Sequence, residues 1–343
     1  RWVDTDFVRD GTRLAIAEML RGGVTCFNDM YFFPEATAAI AHEAGMRACV
    51  GLIALDFPSA YARTVDEYLD KGLALHEALE LEPLLHTAFA PHAPYTVSAP
   101  ALEKIGQLAA DRNIPVHIHV HETAAEVAQF VAEQGCRPLD RLEQLGLLSS
   151  RLLAVHLTQA EPGEIERLAQ AGAHVAHCPE SNLKLASGFC PTVRLDAAGV
   201  NVAIGTDGAA SNNDLDLFGE LRTAALLGKG IAGDAAALPA ARVLRMATLN
   251  GAQALGLAQE TGSLEPGKSA DIIAVDLGAL EAEPVYHPIS QLVYATGRHQ
   301  VSDVWVAGRR LLANRELTTL DPQEIIQRAQ GWRDRIAATD RTA

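Results

Sequence analysis

Imidazole and carboxylate side chains recur where short apolar segments of this chain end. They are His92, His119, Glu122, His156, His177 and Asp207. Neutral imidazole nitrogens and carboxylate oxygens are the usual protein ligands of zinc and iron(II). The same groups can also move protons as general acids and bases. Brought to one place, the set would therefore suit metal-dependent hydrolytic chemistry.

One segment, residues 115–123, concentrates these residue types. It reads Pro-Val-His-Ile-His-Val-His-Glu-Thr, and side chains at alternating positions of a strand share a face, so His117, His119 and His121 are predicted to point the same way. The deepest of the three is predicted to be a packed core residue. A lone buried histidine is more often structural than a ligand, but three beside a glutamate favour His119 as a ligand, with Glu122 at the rim.

Two further positions end apolar runs in the same manner. Asp207 closes the run 200–206 and opens a loop rich in Gly, Ser and Asn. Its alternative role is that of a helix or turn cap, which aspartate often serves. His156 ends the run 152–156. For His177 a structural role, as a hydrogen-bonded residue at a strand end, is slightly favoured.

The elements that must position these residues follow a strand–helix alternation. Apolar segments predict strands at 24–28, 47–53, 84–90, 115–121, 152–156, 174–178 and 200–206. Most lack polar alternation, as expected of parallel strands buried on both faces. Helical patterns lie between them at 10–21, 35–44, 99–112, 124–134 and 161–171, followed by 215–229 and 239–255.

This alternation indicates an α/β fold, either a (β/α)8 TIM barrel or a doubly wound sheet. No GxGxxG or GxxxxGK[ST] motif follows the early strands, which weakens a nucleotide-cofactor interpretation. Only seven strands can be counted where a closed barrel needs eight. The prediction is a barrel at 1–258 whose first strand lies upstream of Arg1. Strands at 272–275 and 301–306 predict the C-terminal part of a small β-sandwich domain at 259–320, followed by a C-terminal helix at 321–343.

Composition excludes several classes of partner. The formal net charge of −15 argues against binding of nucleic acid or of an anionic membrane surface, because both need clustered Lys and Arg. Five cysteines without a CxxC pair fit reduced thiols in the cytoplasm. No apolar run is long enough to span a membrane. The start at Arg1 resembles neither a signal peptide nor an initiator methionine, so the chain is predicted to be a piece of something longer.

Five motifs together resemble the 5-methylthioadenosine/S-adenosylhomocysteine deaminases of the amidohydrolase superfamily, and the resemblance covers essentially the whole chain. They are Pro91-His-Ala-Pro-Tyr-Thr96, His119-Val-His-Glu-Thr123, His156-Leu-Thr158, Ser181-Asn-Leu-Lys-Leu-Ala-Ser-Gly188 and Gly205-Thr-Asp-Gly-Ala-Ala-Ser-Asn-Asn213. The wider group includes guanine deaminases and triazine hydrolases. The motif around Asp207 and the Ser-Asn-Leu-Lys motif are the specific ones.

The resemblance implies a role for each matched residue. His119 and Asp207 would bind one divalent metal, zinc with iron(II) as the alternative. Glu122 would pass a proton to the purine ring, His156 would assist with Asp207 at the attacking water, and His92 would contact the substrate. The family's two other ligands form an HxH pair on the first strand, and they are expected upstream of Arg1.

The resulting hypothesis is a hydrolytic deaminase of an adenine nucleoside, working as a cytoplasmic homo-oligomer on a small-molecule substrate. Deamination of guanine or another aminoheterocycle, or triazine-type hydrolysis, is the alternative among enzymes, because the same chemistry serves them all. A non-catalytic barrel scaffold is the alternative from another class. Such a scaffold would have no need of His119, Glu122, His156 and Asp207 together.

Overall fold

The computed structural model describes residues 1–340, and its centre is a parallel sheet whose strand order follows the chain. The strands are β1 (Cys26–Asn28), β2 (Arg47–Ala54), β3 (Leu85–Pro91), β4 (Val116–Val120), β5 (Leu152–His156), β6 (His174–His177) and β7 (Asn201–Ile204). The predicted α/β class and all seven strands are confirmed. β1 and β7 are the two outer strands of this sheet.

The strands are apolar because helices cover the sheet. Every residue of β2 and of β5 is buried, which is why neither strand shows the alternation of a half-exposed sheet. The helices are α1 (Thr5–Arg21), α2 (Pro34–Ala44), α3 (Val65–Leu79), α4 (Ala99–Arg112), α5 (Ala124–Gln134), α6 (Pro138–Gln144), α7 (Pro162–Ala171), α8 (Pro179–Lys184), α9 (Thr192–Ala197), α10 (Ala209–Asn212), α11 (Leu217–Ala232), α12 (Ala240–Met246), α13 (Leu249–Ala254), α14 (Pro288–Tyr294) and α15 (Pro322–Asp340).

One helix prediction is wrong. The pattern at 239–255 predicted a single helix, but the chain forms α12 and α13 with a break between them. At the break Thr248 leaves the helical conformation, with φ −124° and ψ −97°. Its hydroxyl donates to the carbonyl of Leu244 at 2.8 Å, so the side chain offers the backbone an alternative to a continuous helix.

A second, antiparallel sheet follows the parallel one in the chain. Its strands are β8 (Ile272–Val275), β9 (Val301–Val306), β10 (Arg309–Ala313) and β11 (Glu316–Leu317), in the order β11-β10-β9-β8. The two predicted strands are confirmed. α15 then packs back on α1, where the Trp332 indole donates to Asp10 and its ring meets Phe7 edge-on. Within residues 1–340, no helix has the length and apolar character needed to cross a bilayer.

A buried ion pair joins the two sheets. Arg47, at the start of β2, donates to Asp271 through Nε at 2.7 Å, and both side chains are almost fully buried. Asp271 Oδ1 also accepts from the backbone amide of Ala307, in the turn between β9 and β10. This contact lies at the amino-terminal end of β2, far along the strand from the carboxyl edge of the sheet.

Candidate active site

The parallel register brings the candidate residues to one edge of the seven-stranded sheet. His119 pairs with Val155 and Val120 with His156, while His177 pairs with Ile204. His92 directly follows β3, and Asp207 lies three residues beyond β7. Because carboxyl ends of parallel strands meet at the same edge, the predicted site residues come together there.

His119 is held in a single tautomer by a neighbouring loop. Its Nδ1 lies 2.7 Å from the backbone carbonyl of His92. A carbonyl can only accept, so Nδ1 carries the proton and the Nε2 lone pair is left available. This is the state in which an imidazole can ligate a metal.

The imidazoles of His92, His119 and His156 form a cluster with His119 at its centre. The His119 ring stacks on that of His156, with centroids 5.5 Å apart and planes inclined by 19°. The His92 ring lies 5.0 Å from it on another side. Burial and the neighbouring His119 lower the pKa of His92 to about 4. Burial and then His156 lower the pKa of His119, against a smaller raising effect of Asp207. Both rings are therefore neutral at pH 7.

Glu122 reaches the cluster from the loop between β4 and α5. Its Oε2 lies 3.9 Å from Nε2 of His156. The backbone on either side is fixed, because Glu122 N donates to the Glu126 carboxylate at 2.9 Å and the Thr158 hydroxyl donates to the Glu122 carbonyl at 2.7 Å. Its side chain remains 25% exposed, so the carboxyl can meet a molecule that enters from solvent.

His156 and Asp207 are oriented by two consecutive residues of α8. Asn182 Oδ1 accepts from Nδ1 of His156 at 2.8 Å, and the other ring nitrogen, Nε2, faces Glu122. The Ser181 hydroxyl donates to Asp207 Oδ2 at 2.7 Å, and the Gly208 amide donates to Oδ1 at the same distance.

These two α8 residues were missed as functional residues in the sequence. Both are buried. The Ser-Asn-Leu-Lys motif was the available signal, but it carried a resemblance and no assigned role. In the structure Ser181 orients Asp207, and Asn182 orients His156.

Two of the candidate site residues have strained backbones. His156 has φ +75° and Asp207 has φ +61°. Neither is glycine, and a residue with a Cβ atom in the left-handed region carries a conformational cost. The strain places each side chain at the rim where its strand ends.

The prediction for the other two histidines of the segment 115–123 is partly wrong. His117 lies on the His119 face and deeper, where the Asn28 amide contacts its Nδ1 at 2.8 Å. His121 does not share that face. With φ +54° the chain turns after β4, and the buried His121 ring accepts instead from the amide of Leu139 in α6. It lies 3.5 Å from Glu164 of α7, outside the cluster.

His177 is buried beside the cluster without joining it. Burial and then His156 lower its pKa to about 3. Its Nδ1 has no hydrogen-bond partner within the part of the chain that the structure describes, so the hydrogen bond predicted for a structural residue is not found at this atom.

The available donors fit part of the shell of a divalent metal. His119 presents a free imidazole lone pair, and Asp207 presents a carboxylate close enough to act electrostatically on that ring. Imidazole with carboxylate oxygen suits zinc and iron(II). Among residues 1–340, no three His, Cys, Asp or Glu side chains are grouped so as to hold a metal ion by themselves.

Comparison with known proteins gives a consistent family. The family model described as "Amidohydrolase family" matches residues 2–311. The chain is 53% identical to a 5-methylthioadenosine/S-adenosylhomocysteine deaminase of Teredinibacter turnerae, over 98% of this chain and 76% of the relative. It is 51% identical to the protein of the same name from Saccharophagus degradans, with the same coverage.

Solved structures agree with these relatives. An adenosine deaminase from Xanthomonas campestris with bound zinc superposes with a TM-score of 0.97 at 55% identity, covering 98% of this chain and 76% of that one. An atrazine chlorohydrolase from Arthrobacter aurescens, complexed with zinc, gives a TM-score of 0.89 at 27% identity, with coverage of 95% and 77%.

Proposed function

The chain belongs to the amidohydrolase family and is a hydrolase that acts on C–N bonds, and we propose that it deaminates an adenine nucleoside. The substrate would be 5-methylthioadenosine, S-adenosylhomocysteine or adenosine, and the products the inosine analogue and ammonia. The observation that carries this proposal is the approach of Glu122 to His156, 3.9 Å apart beside the neutral His119 ring. It places a carboxyl group and an imidazole nitrogen, Nε2 of His156, at one point of the rim.

The enzyme uses a divalent metal, and we propose zinc, since zinc is bound in the two structural relatives. His119, through Nε2, and Asp207, through its carboxylate, are the described residues that would hold it. When bound, such an ion activates water as a nucleophile near neutral pH.

Side chains at the site would carry out the proton transfers of the reaction. Attack of water at C6 of adenine needs a proton on ring nitrogen N1, which the Glu122 carboxyl delivers. His156 Nε2 and the Asp207 carboxylate accept the proton that the water loses. That proton then passes to the exocyclic nitrogen, the bond between C6 and this nitrogen breaks and ammonia leaves. The remaining proton of the C6 hydroxyl returns to Glu122 as the C6 carbonyl of the product forms. His92, at the rim beside His119, would contact the base.

The cellular location and the assembly state are part of the proposal. We propose a cytoplasmic enzyme, since all five cysteines are free thiols in the structure. A homo-oligomer is proposed because closed symmetric assemblies are common among such proteins.

A substrate screen tests the choice of nucleoside. We expect the zinc-loaded enzyme to deaminate 5-methylthioadenosine, S-adenosylhomocysteine or adenosine, followed by the absorbance change from adenine to hypoxanthine, and to leave guanine unchanged. The same protein stripped of metal by a chelator is the control. Turnover of guanine or a triazine alone would contradict the nucleoside assignment, and no turnover by a zinc-loaded protein would favour the scaffold alternative.

Removal of the Ser181 hydroxyl tests the proposed ligand Asp207. Hydrogen-bond partners of metal ligands typically contribute about 10- to 100-fold to metal affinity or activity. Ser181→Ala is therefore expected to weaken zinc retention or kcat by about that factor, measured by dialysis against a chelator and by steady-state rates. Ser302→Ala is the matched control, since Ser302 donates to Asp303 at 2.8 Å in the small sheet. Equal behaviour of the two variants would speak against Asp207 as a ligand.

A further inference from the structure

A carboxyl group that the proposed reaction does not use is fully buried behind the site. Glu220 lies in the first turn of α11 with none of its surface exposed. Its Oε2 accepts from the backbone amide of Glu180 at 3.1 Å, and its Oε1 accepts from Asn212 Nδ2 at 2.6 Å. Burial raises the pKa of Glu220 to about 8, although the Glu180 amide acts in the opposite direction.

Burial of the Glu220 carboxyl group costs free energy of folding. A buried carboxyl loses its hydration, and only hydrogen bonds from the protein can replace it. The inner face of α11 is otherwise apolar at this level, with Phe218, Leu221 and Ala224 buried around it. An apolar residue would meet the packing requirement, so the value of Glu220 must lie in what its two oxygens hold.

Those two oxygens hold the two segments that orient the site. The first is α8, where Glu180 directly precedes Ser181, the donor to Asp207, and Asn182, the partner of His156. The second is the loop 206–213, which contains the single helical turn of α10. There Asn212 Nδ2 donates to Glu220. The same nitrogen also donates, at 2.8 Å, to the carbonyl of Thr206, which directly precedes Asp207.

We propose that Glu220 is a positioning residue, which ties α8 to the loop 206–213 so that Asp207 and His156 keep the orientations needed for the reaction. The position of the Asp207 carboxylate is then fixed by two sets of contacts. One comes from α8 through Ser181, and the other comes along the loop 206–213 through Thr206 and Asn212. Both α8 and Asn212 are hydrogen-bonded to the side chain of Glu220. The inference rests on the proposed function, since it takes Asp207 and His156 as working groups.

Glu220→Gln tests this with little change of shape. One of the two terminal atoms becomes an NH2 donor, which would face either the Glu180 amide or the Asn212 amide, so one hydrogen bond is replaced by a clash of donors. We expect zinc retention during dialysis against a chelator, or kcat of the zinc-loaded enzyme, to fall by about 10- to 100-fold, the range typical of groups behind metal ligands. KM for the nucleoside should change little, because Glu220 does not touch it.

A matched control lies one turn away on the same helix. The Thr223 hydroxyl donates to Glu180 Oε1 at 2.7 Å, so Thr223→Val also removes a hydrogen bond between α8 and α11. It leaves the Glu180 amide and Asn212 untouched, and it is expected to keep zinc and kcat near the wild-type values. Equal losses of zinc retention or kcat in the two variants would mean that Glu220 only holds α8 against α11, which contradicts the proposal. Wild-type zinc retention and kcat in Glu220→Gln would also overturn it.

Two further variants keep the test decisive. If Glu220→Gln shows no cooperative unfolding, Asn212→Ala removes the same link from the loop side, and wild-type zinc retention and kcat in that variant would overturn the inference. Asp207→Asn is the reference for a lost ligand. If Asp207→Asn keeps zinc and activity, the proposed function itself is wrong. If Asp207→Asn loses zinc or activity and Glu220→Gln loses neither, only the inference about Glu220 is wrong.

Discussion

Replacement of Glu122 by glutamine is expected to lower kcat by about 10²- to 10⁴-fold, the range that a single general acid–base group contributes. A carboxamide has nearly the shape of a carboxyl group but cannot deliver and recover a proton. Glu122 lies 3.9 Å from His156 and is not one of the residues proposed to hold the metal. Zinc content, measured by elemental analysis of the purified enzyme, should therefore match that of the wild type.

A neighbouring glutamate supplies the control for this variant. Glu133 is on the following helix, α5, where its carboxylate is exposed and accepts from Gln129. Glu133→Gln is expected to keep the wild-type kcat and zinc content. If Glu122→Gln deaminates the nucleoside at a comparable rate, Glu122 is not the proton donor, and the mechanism needs a different acid.

The second large effect concerns stability. Replacing Asp271 by asparagine is expected to lower the free energy of unfolding by about 3–5 kcal/mol, because it removes the buried carboxylate that Arg47 contacts at 2.7 Å and leaves the buried guanidinium with only the half-exposed Glu260, 3.3 Å away. That is a large fraction of the 5–15 kcal/mol typical of whole domains. Urea unfolding followed by circular dichroism measures the change. Asp66→Asn, which breaks the exposed pair with Lys104, should cost about 1 kcal/mol or less.

The same pair predicts how stability depends on pH. Burial acts to raise the pKa of Asp271, but hydrogen bonds from Arg47 and from the Ala307 amide outweigh it, so the pKa is lowered overall. A carboxyl with a lowered pKa in the folded state contributes stability above its unfolded pKa, and that contribution is lost as the pH falls through the folded value. Wild type and Asp271→Asn should therefore differ most at neutral pH and converge in acid. A difference that grows on acidification would be incompatible with this pair.

Much of the fold follows from the apolar pattern of the chain. All seven strands of the parallel sheet lie within two residues of their predicted bounds. Strands buried on both faces, such as β2 and β5, leave continuous apolar runs between helices, and such runs are hard to mistake. The helix 239–255 was mistaken because its pattern is helical throughout. The hydroxyl of Thr248, two residues beyond the end of α12, acts through local hydrogen bonds to the carbonyls of Leu244 and Arg245, which an apolar pattern does not report.

The candidate site was predicted by residue type and position, and its supports were not. His92, His119, Glu122, His156 and Asp207 could be proposed because each follows an apolar run, and strand ends meet at one edge. Residues that orient them come from distant segments, as Asn182 does for His156 across 26 positions. No local periodicity reports such a contact. His121 was misplaced for a related reason, because the pattern could not show that the strand ends at Val120.

At His156 and Asp207 the left-handed backbone lowers the stability of the fold, while the side chain of the same residue is proposed to serve activity. Each such conformation costs on the order of 1–3 kcal/mol in a residue other than glycine. Glycine would relieve that cost at either position, and with it the imidazole or the carboxylate would be lost. If His156 and Asp207 have the roles proposed for them, the fold bears this conformational cost at the two positions where the side chain itself is needed.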